Sequence, residues 1–321
     1  MAMANENKEI VLSVVVPIYN EEMNVRKLYD RLINSLGSLG VGFELVFIND
    51  GSKDASMPII ISMAEENSSV KYIDLSRNFG HQIAITAGIE NAVGEYIVIM
   101  DGDGQDPPEL IPALFKRAQE GYEVVYAKRK SRQGETWLKK ITAKLFYRLL
   151  SKMTKVNIPL DTGDFRLIHR KIQRVLKQMP EQDKYLRGQI AWIGFNTTFL
   201  EYDREERMGG ETKFSYSKML KFAMDGVVSF SSWPLKLATI LGFSVSVVAF
   251  GMILYSIYQK LFGYTIQGWT SLQISILFIG GVQLIGMGML GEYISRVSEN
   301  VKNRPTYIVK NSNIASLEEN H

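Results

Sequence analysis

Asp101-Gly-Asp103-Gly-Gln105 follows a short apolar run at 95–100. Two carboxylates two residues apart can converge on one hard cation if the chain turns, and the two glycines permit that turn. Oxygen ligands of this kind suit Mg2+ or Mn2+, which in turn hold a diphosphate. A lone Asp-x-Asp is most often only a solvated Asp-Gly turn. A calcium loop of the EF-hand type is excluded, because its sixth position is Asp106 rather than glycine and its twelfth is Pro112 rather than glutamate.

Other chemistries are removed by what the chain lacks. It has no cysteine, so neither a disulfide nor a thiolate metal site can form. His81, His169 and His321 lie far apart without metal-ligand spacing, so a histidine-based zinc site is not expected. No G-x-G-x-x-G follows the first apolar run, which disfavours a dinucleotide dehydrogenase, and no G-x-x-x-x-G-K-[ST] occurs, which removes a P-loop NTPase. The net charge of +3 is too small to imply a nucleic-acid partner.

The elements that must position Asp101 and Asp103 come from the apolar patterning. Runs at 11–18, 43–48, 70–75, 95–100 and 123–127 read as strands. Between them lie helical patterns, the first with Val25, Leu28, Leu32 and Leu36 on one stripe, another at 83–92, and one begun by Pro107-Pro108. Strands alternating with helices predict an α/β fold with a mostly parallel sheet covered on both faces. Ligands bind beyond the carboxyl ends of such strands. Four polar clusters, at 19–22, 49–54, 77–81 and 101–106, fall at those ends and are expected to converge on an active site.

The residues now assembled resemble glycosyltransferase family 2, in its dolichol-phosphate mannosyltransferase and bactoprenol glucosyltransferase group. The resemblance is carried in order by Val14-Val-Val-Pro17-Ile-Tyr19-Asn20-Glu21, Asn49-Asp50-Gly51-Ser52, Arg77-Asn78-Phe79-Gly80-His81 and Asp101-Gly-Asp-Gly-Gln-Asp-Pro-Pro-Glu109. Asp161-Thr-Gly-Asp164-Phe-Arg-Leu167, Arg207-Met-Gly-Gly-Glu-Thr-Lys213-Phe214, Gly291-Glu-Tyr-Ile-Ser-Arg-Val297 and Asn303-Arg304-Pro305 extend it, so it covers residues 10 to 308. It implies a GT-A, Rossmann-like catalytic domain and a divalent metal. It also implies that Pro17, Tyr19, Glu21 and Asp50 hold a nucleotide-sugar. Asp101 would lie near ribose and metal, and Asp103 and Gln105 would face metal and diphosphate. The family usually has alanine and leucine where Gly102 and Gly104 stand.

Asp164 lies in a segment that the resemblance places beside the acceptor. A sugar hydroxyl acceptor would need a general base, whereas an ionised phosphate needs none. Asp164 is therefore read as an orienting or electrostatic residue ahead of a true base, with a helix N-cap as its structural alternative. Arg129, Arg207 and Lys213, with Lys140 behind them, are candidate binders of the acceptor phosphate, since arginine grips phosphate bidentately and lysine acts as a point charge. Each would otherwise be a solvated surface cation. The Gly-Gly setting of Arg207 and Lys213 reads as a mobile loop closing over substrate.

No charged residue occurs at 237–258 or at 261–291. Both stretches are long enough to cross a hydrocarbon core of roughly 30 Å, the second as 271–290. Lys218, Lys221 and Lys236 precede them and Arg296, Lys302, Arg304 and Lys310 follow, while the connecting loop holds only Lys260. This asymmetry predicts an integral membrane protein with both termini and the catalytic domain in the cytoplasm. Trp137, Ile141, Leu145, Leu149 and Met153 recur at fourfold spacing among cations, and 216–233 shows a similar stripe, so amphipathic helices on the bilayer surface are expected.

The expected organisation is thus a catalytic domain at 1–215, an amphipathic interface helix at 216–235, a two-helix transmembrane anchor with its extension at 236–310, and a disordered tail at 311–321. The expected function is inverting, metal-dependent transfer of a hexose from a nucleotide-sugar, read as UDP-linked, to polyprenyl phosphate. The glycine-rich second span would permit homo-oligomers. A processive polysaccharide synthase is disfavoured, since there is no Q-x-x-R-W motif and there are too few spans for a channel. A catalytically silent membrane subunit of a glycan assembly complex is the rival from another class, opposed by the intact Asp101, Asp103 and Gln105.

Overall fold

The structure is a computed structural model that describes residues 9–130, 159, 162–203, scattered positions between 240 and 258, and 268–318. The chain divides into two compact units, the first formed by 1–151, 156–214 and 305–321 and the second by 152–155 and 215–304.

In the first unit the apolar runs are strands. They are β1 (Ile10–Ile18), β2 (Gly42–Asn49), β3 (Val70–Leu75), β4 (Tyr96–Ile99), β5 (Val124–Arg129), β6 (Thr162–His169), β7 (Thr197–Tyr202) and β8 (Val309–Ser312). The helices are α1 (Val25–Gly37), α2 (Ser56–Glu66), α3 (His81–Asn91), α4 (Ile111–Gln119), α5 (Arg170–Lys177), α6 (Leu186–Ile193) and, in the second unit, α7 (Trp269–Lys302); α8 (Ala315–Glu318) closes the first unit. One eight-stranded sheet has the order β7-β5-β6-β4-β1-β2-β3-β8. The pairings β1·β2, β1·β4, β2·β3 and β5·β7 are parallel, and β4·β6, β5·β6 and β3·β8 are antiparallel. The α/β sheet expected from the strand–helix alternation is present, but it is mixed rather than mostly parallel, because β6 and β8 run antiparallel to their neighbours.

Each face of the sheet has its own core. Leu12, Val14, Val16 and Ile18 of β1 pack with Leu28, Leu32 and Leu36 of α1 and Leu114 of α4. Val15 and residues of β2, β3 and β4 on the opposite face pack with Ala84, Ile85 and Ile89 of α3 and with Ile172, Leu176, Leu186 and Ile190 of α5 and α6. The 3.6-residue stripe of α1 is fully buried, and each such leucine contributes about 1.5–3 kcal/mol. Ser13 fits the buried sheet because its hydroxyl donates to Glu44 at 2.6 Å and accepts from Gly94 N–H at 2.8 Å.

Two expectations are corrected here. The tail at 311–321 is not disordered through its described part: β8 pairs antiparallel with β3, and α8 follows it. Its polar residues are the reason. Asn313 accepts from Tyr72 N–H at 2.7 Å and donates to Val70 C=O at 2.9 Å, and the Ser312 hydroxyl donates to Tyr72 C=O at 2.8 Å. Residues from 305 onward therefore belong to the catalytic unit, not to an anchor extension.

The second correction concerns the spans. Among the described residues no helix is long and apolar enough to cross a membrane, so the two transmembrane helices and the integral-membrane, cytoplasm-facing placement are overturned. The described positions from Ile240 to Tyr258 are helical, and 271–290 lies within α7. The basic stripe at 137–155 and the interface helix at 216–235 lie outside the described residues.

Candidate active site

The β1–α1 and β2–α2 loops are joined by their own polar groups. Asn20 adopts a left-handed backbone, φ 53°. Its amide donates to Ser52 Oγ at 3.0 Å, and its carbonyl side chain accepts from Lys53 N–H at 2.8 Å. Glu21 N–H donates to Ser56 Oγ at 3.0 Å, and the Glu21 carboxylate accepts from Asn24 Nδ2 at 2.6 Å. Pro17 is the penultimate residue of β1, with Tyr19 and Glu21 just beyond its end. These three expected donor-site residues are therefore on one rim.

Asp50 directly follows β2 on the same rim and is buried, 3% exposed. Its carboxylate accepts from Phe79 N–H at 2.7 Å and Gly80 N–H at 3.1 Å, and Asn78 Nδ2 donates to its carbonyl at 3.1 Å. Burial raises its pKa, and the two N–H bonds only partly offset that. Asp50 thus ties the β2–α2 loop to the β3–α3 loop. Gly51 beside it has φ +66°, and a Cβ there would lie 2.5 Å from the backbone carbon of Arg77, so the two loops meet at a contact only glycine allows.

Asp101 begins the loop after β4. A Cβ at Gly102 would sit 2.8 Å from Pro17 O, and Gly104 has φ +74°, so both glycines have a local reason to stand where the family has larger residues. Gln105 N–H donates to Asp103 Oδ1 at 3.1 Å, which closes the loop on itself. Asp101, Asp103 and Gln105 are each partly exposed. Two carboxylates and an amide oxygen are the donor types that a hard divalent cation takes.

Asp164 is brought here by strand register. β4 and β6 run antiparallel with Tyr96 opposite His169, Ile97 opposite Ile168, Val98 opposite Leu167 and Ile99 opposite Arg166. Continuing that register by two residues sets Asp164 opposite Asp101. The segment is a strand, so the helix N-cap alternative for Asp164 is wrong: a residue two places before a ladder partner is held by sheet pairing.

Asp164 is buried and accepts five hydrogen bonds. Oδ1 receives Arg166 Nη2 at 2.8 Å and Arg187 Nε at 3.0 Å. Oδ2 receives Arg187 Nη2 at 3.2 Å and Gln82 Nε2 at 3.3 Å, and pairs with His81 Nε2 at 3.2 Å. Burial alone would raise its pKa, but Arg187, His81 and Arg166 outweigh it and hold the carboxyl well below the usual range. His81 Nε2 also lies 3.3 Å from Asp101 Oδ1. Desolvation opposes protonation of the imidazole, yet the bond to Asp164 and the charges of Asp101 and Asp164 prevail and push its pKa up to about 9.

His81, Asp101 and Asp164 have ligand atoms within 4.8 Å of one another, a group that could hold a metal. The oxygens of Asp164 already accept from two guanidinium groups, which compete there with a cation.

Arg129 stands at the end of β5. Its Nε donates to Tyr202 Oη at 3.4 Å, and Tyr202 in turn donates to the buried Asp106 at 2.6 Å. Burial opposes the charge of Arg129, but Tyr202, Asp106 and Asp101 more than compensate, so the guanidinium stays ionised on the same rim. Lys140, Arg207 and Lys213 lie outside the described residues. His81 and Arg187 were missed from sequence as site residues. His81 stood in a polar cluster at a strand end but had no neighbouring histidine to mark it, and Arg187, in Asp-Lys-Tyr-Leu-Arg-Gly, carried no local signal at all.

Comparison with known proteins agrees with this geometry. The glycosyl transferase family 2 profile matches residues 13–176. An uncharacterized glycosyltransferase of Bacillus subtilis is 48% identical over 307 residues, 95% of this chain and 95% of that one. Another from Synechocystis is 46% identical over 301 residues, 94% of this chain and 95% of that one. A protein of Escherichia coli named prophage bactoprenol glucosyl transferase homolog is 43% identical over 305 residues, 93% of this chain and 98% of that one. A sheet whose carboxyl rim gathers Asp50, Asp101, Asp103 and Asp164, and a match of this length, make the chain a glycosyltransferase that belongs to glycosyl transferase family 2.

Proposed function

We propose that this glycosyltransferase moves a hexose from a nucleotide-sugar, read as UDP-linked, to polyprenyl phosphate with inversion at the anomeric carbon. The observation that carries the acceptor class is the state of Asp164. A carboxylate that accepts five hydrogen bonds and is held far below its ordinary pKa is a poor proton acceptor. An acceptor that must lose a proton is ill served by it. A phosphate monoester arrives ionised and is not. The name bactoprenol glucosyl transferase borne by relatives at about this level of identity supports the same acceptor, and glucose as the hexose.

In this reading an acceptor phosphate oxygen forms a bond to the anomeric carbon while the bond from that carbon to the donor diphosphate breaks. The electron pair leaves with the diphosphate, and no proton moves. Pro17, Tyr19, Glu21 and Asp50 shape the nucleotide pocket. Asp101, Asp103 and Gln105 would hold Mg2+ or Mn2+, which when bound neutralises charge on the leaving diphosphate. Arg129 supplies positive charge at the same rim, and Lys140, Arg207 and Lys213 are assigned to the acceptor phosphate.

The test is a transfer assay with purified protein, Mg2+ or Mn2+, a panel of UDP- and GDP-hexoses, and either undecaprenyl phosphate or undecaprenol. Sugar transfer to the phosphate alone is expected. Transfer to the alcohol, or to neither, would overturn the acceptor assignment.

A further inference from the structure

Two polar side chains stand buried at the carboxyl end of the sheet, beneath the donor-site loops. Asn49 is the last residue of β2, Asp74 the penultimate residue of β3, and the two are direct partners in the parallel ladder. Asn49 is 3% exposed and Asp74 is 6% exposed. The next pair in the ladder is Ile48 with Ile73, both fully buried. Polar groups in such a place cost free energy unless they are bonded, and these are: Asn49 Nδ2 donates to Asp74 Oδ1 at 2.7 Å. From Asn49 a line of hydrogen bonds leads outward to the rim. Asn49 Oδ1 accepts from Ser52 N–H at 3.2 Å, Ser52 Oγ accepts from Asn20 N–H at 3.0 Å, and Asn20 Oδ1 accepts from Lys53 N–H at 2.8 Å. Asn20 is the left-handed residue between Tyr19 and Glu21.

Asp74 decides which way the Asn49 amide points. The Asp74 oxygen accepts and the Ser52 N–H donates, so one orientation of the amide satisfies both. Reversed, Nδ2 would face the Ser52 N–H, donor against donor, and the amide oxygen would face the carboxylate. Asp74 is itself held on both sides. Its strand pairs with β2 on one edge and with β8 on the other, where Asn311 is its partner, and its second carboxylate oxygen lies 3.7 Å from Lys310 Nζ. While buried, Asp74 therefore reaches the β2–α2 turn through Asn49 and the β1–α1 loop through Ser52. Asp50 follows Asn49 directly, so the same amide sits at the base of the turn that carries the buried Asp50 carboxylate.

We propose that Asp74 and Asn49 are positioning residues of the nucleotide-sugar site: Asp74 orients the Asn49 amide, and that amide holds the turn after β2 against Asn20, which sets Tyr19, Glu21 and Asp50 around one ligand. This rests on the reading of those three residues as the nucleotide pocket. Neither Asp74 nor Asn49 is asked to touch the nucleotide. Both act through the turn they brace.

The experiment measures affinity for UDP and for GDP by calorimetry, with melting temperature beside it, in the full chain and in Asp74→Leu, Asp74→Asn, Asn49→Leu and the double variant Asp74→Leu with Asn49→Leu. Calorimetry needs no acceptor, so the result does not depend on the acceptor assignment. Asp74→Leu is expected to weaken binding of the nucleotide that the wild type takes by about tenfold, the effect of one lost hydrogen bond between buried groups. Asn49→Leu is expected to do the same, and the double variant to be no weaker than either single one, because the two residues act as a unit. Asp74→Asn keeps an oxygen for Asn49 Nδ2 and is expected to restore affinity to within about threefold of wild type. Three results would overturn the assignment: Asp74→Leu with a lowered melting temperature but wild-type affinity, Asp74→Asn as weak as Asp74→Leu, or effects of the two single variants that add in the double one. If the leucine variants do not fold, Ser52→Ala decides. It cuts the same line of bonds at a partly exposed residue, so a several-fold loss of affinity at an unchanged melting temperature supports the assignment, and unchanged affinity overturns it. A wild-type chain that binds neither UDP nor GDP removes the nucleotide pocket and this assignment with it, an outcome distinct from wild-type binding that the variants do not disturb.

Discussion

Asp164 and Arg187, 23 residues apart in sequence, meet through two hydrogen bonds of 3.0 and 3.2 Å that use both carboxylate oxygens. The same carboxylate also neutralises buried Arg166. Removing it leaves a guanidinium in the interior without its counter-charge, the costly way to break a buried pair.

Asp164→Asn is accordingly expected to lower stability by about 3 kcal/mol or more as well as activity. Urea denaturation measures this. Adding Arg166→Met to Asp164→Asn should recover part of the loss, because the stranded charge is then gone. A single variant as stable as wild type would show that Arg166 is compensated elsewhere.

Asp103→Asn is expected to abolish transfer while the melting temperature stays at the wild-type value. A neutral amide binds a hard cation far less well than a carboxylate, and Asp103 is partly exposed on a loop closed by its own bond to Gln105 N–H. Near wild-type turnover in the purified variant would remove Asp103 from the cation site.

The pH dependence of stability follows from His81. Its pKa is raised from 6.5 to about 9 in the folded chain. Protonation is thus favoured by folding, so its contribution is fully present below about pH 6.5 and is lost as pH rises through about 9. In metal-free protein the melting temperature should fall across this window. His81→Gln should flatten that fall, and a profile identical to wild type would show that the imidazole is not protonated between Asp101 and Asp164.

Gly51→Ala tests the joint between the donor-site loops. The residue has φ +66°, and its new Cβ would lie 2.5 Å from Arg77 backbone. The left-handed conformation alone costs roughly 1–2 kcal/mol, and backbone cannot rotate away as a side chain can. UDP affinity by calorimetry should fall, since Asp50 and the β3–α3 loop must separate. Unchanged UDP affinity would mean that this joint does not shape the nucleotide pocket.

Asn313→Ala tests the C-terminal strand. It removes one bond from Tyr72 N–H and one to Val70 C=O, and is expected to destabilise the catalytic unit by about 1–3 kcal/mol. An unchanged midpoint in urea would show that β8 is held by its ladder alone.

The amino-acid sequence determined by itself the parts of this protein whose physics is local. Short continuous apolar runs bounded by turn residues read as buried strands, and Asn49-Asp50-Gly51 and Asp101-Gly-Asp-Gly as turns, so β1 to β5 and the polar rim at their ends were legible. The later strands were not. β6 begins at Thr162 with Gly163 and Asp164, and β8 is Val-Lys-Asn-Ser. Such residues become strands only because β4 and β3 present unpaired backbone to them. The same holds for the site. Asp101 and Asp103 are neighbours in sequence and could be paired on spacing. Asp101 with Asp164, His81 between them, and Arg187 against Asp164 are set by antiparallel register and by the packing of α3 and α6, which no local pattern encodes. The charge-free stretches at 237–258 and 271–290 show the reverse case. Absence of charge is visible in a sequence, but among the described residues no helix is long and apolar enough to cross a membrane.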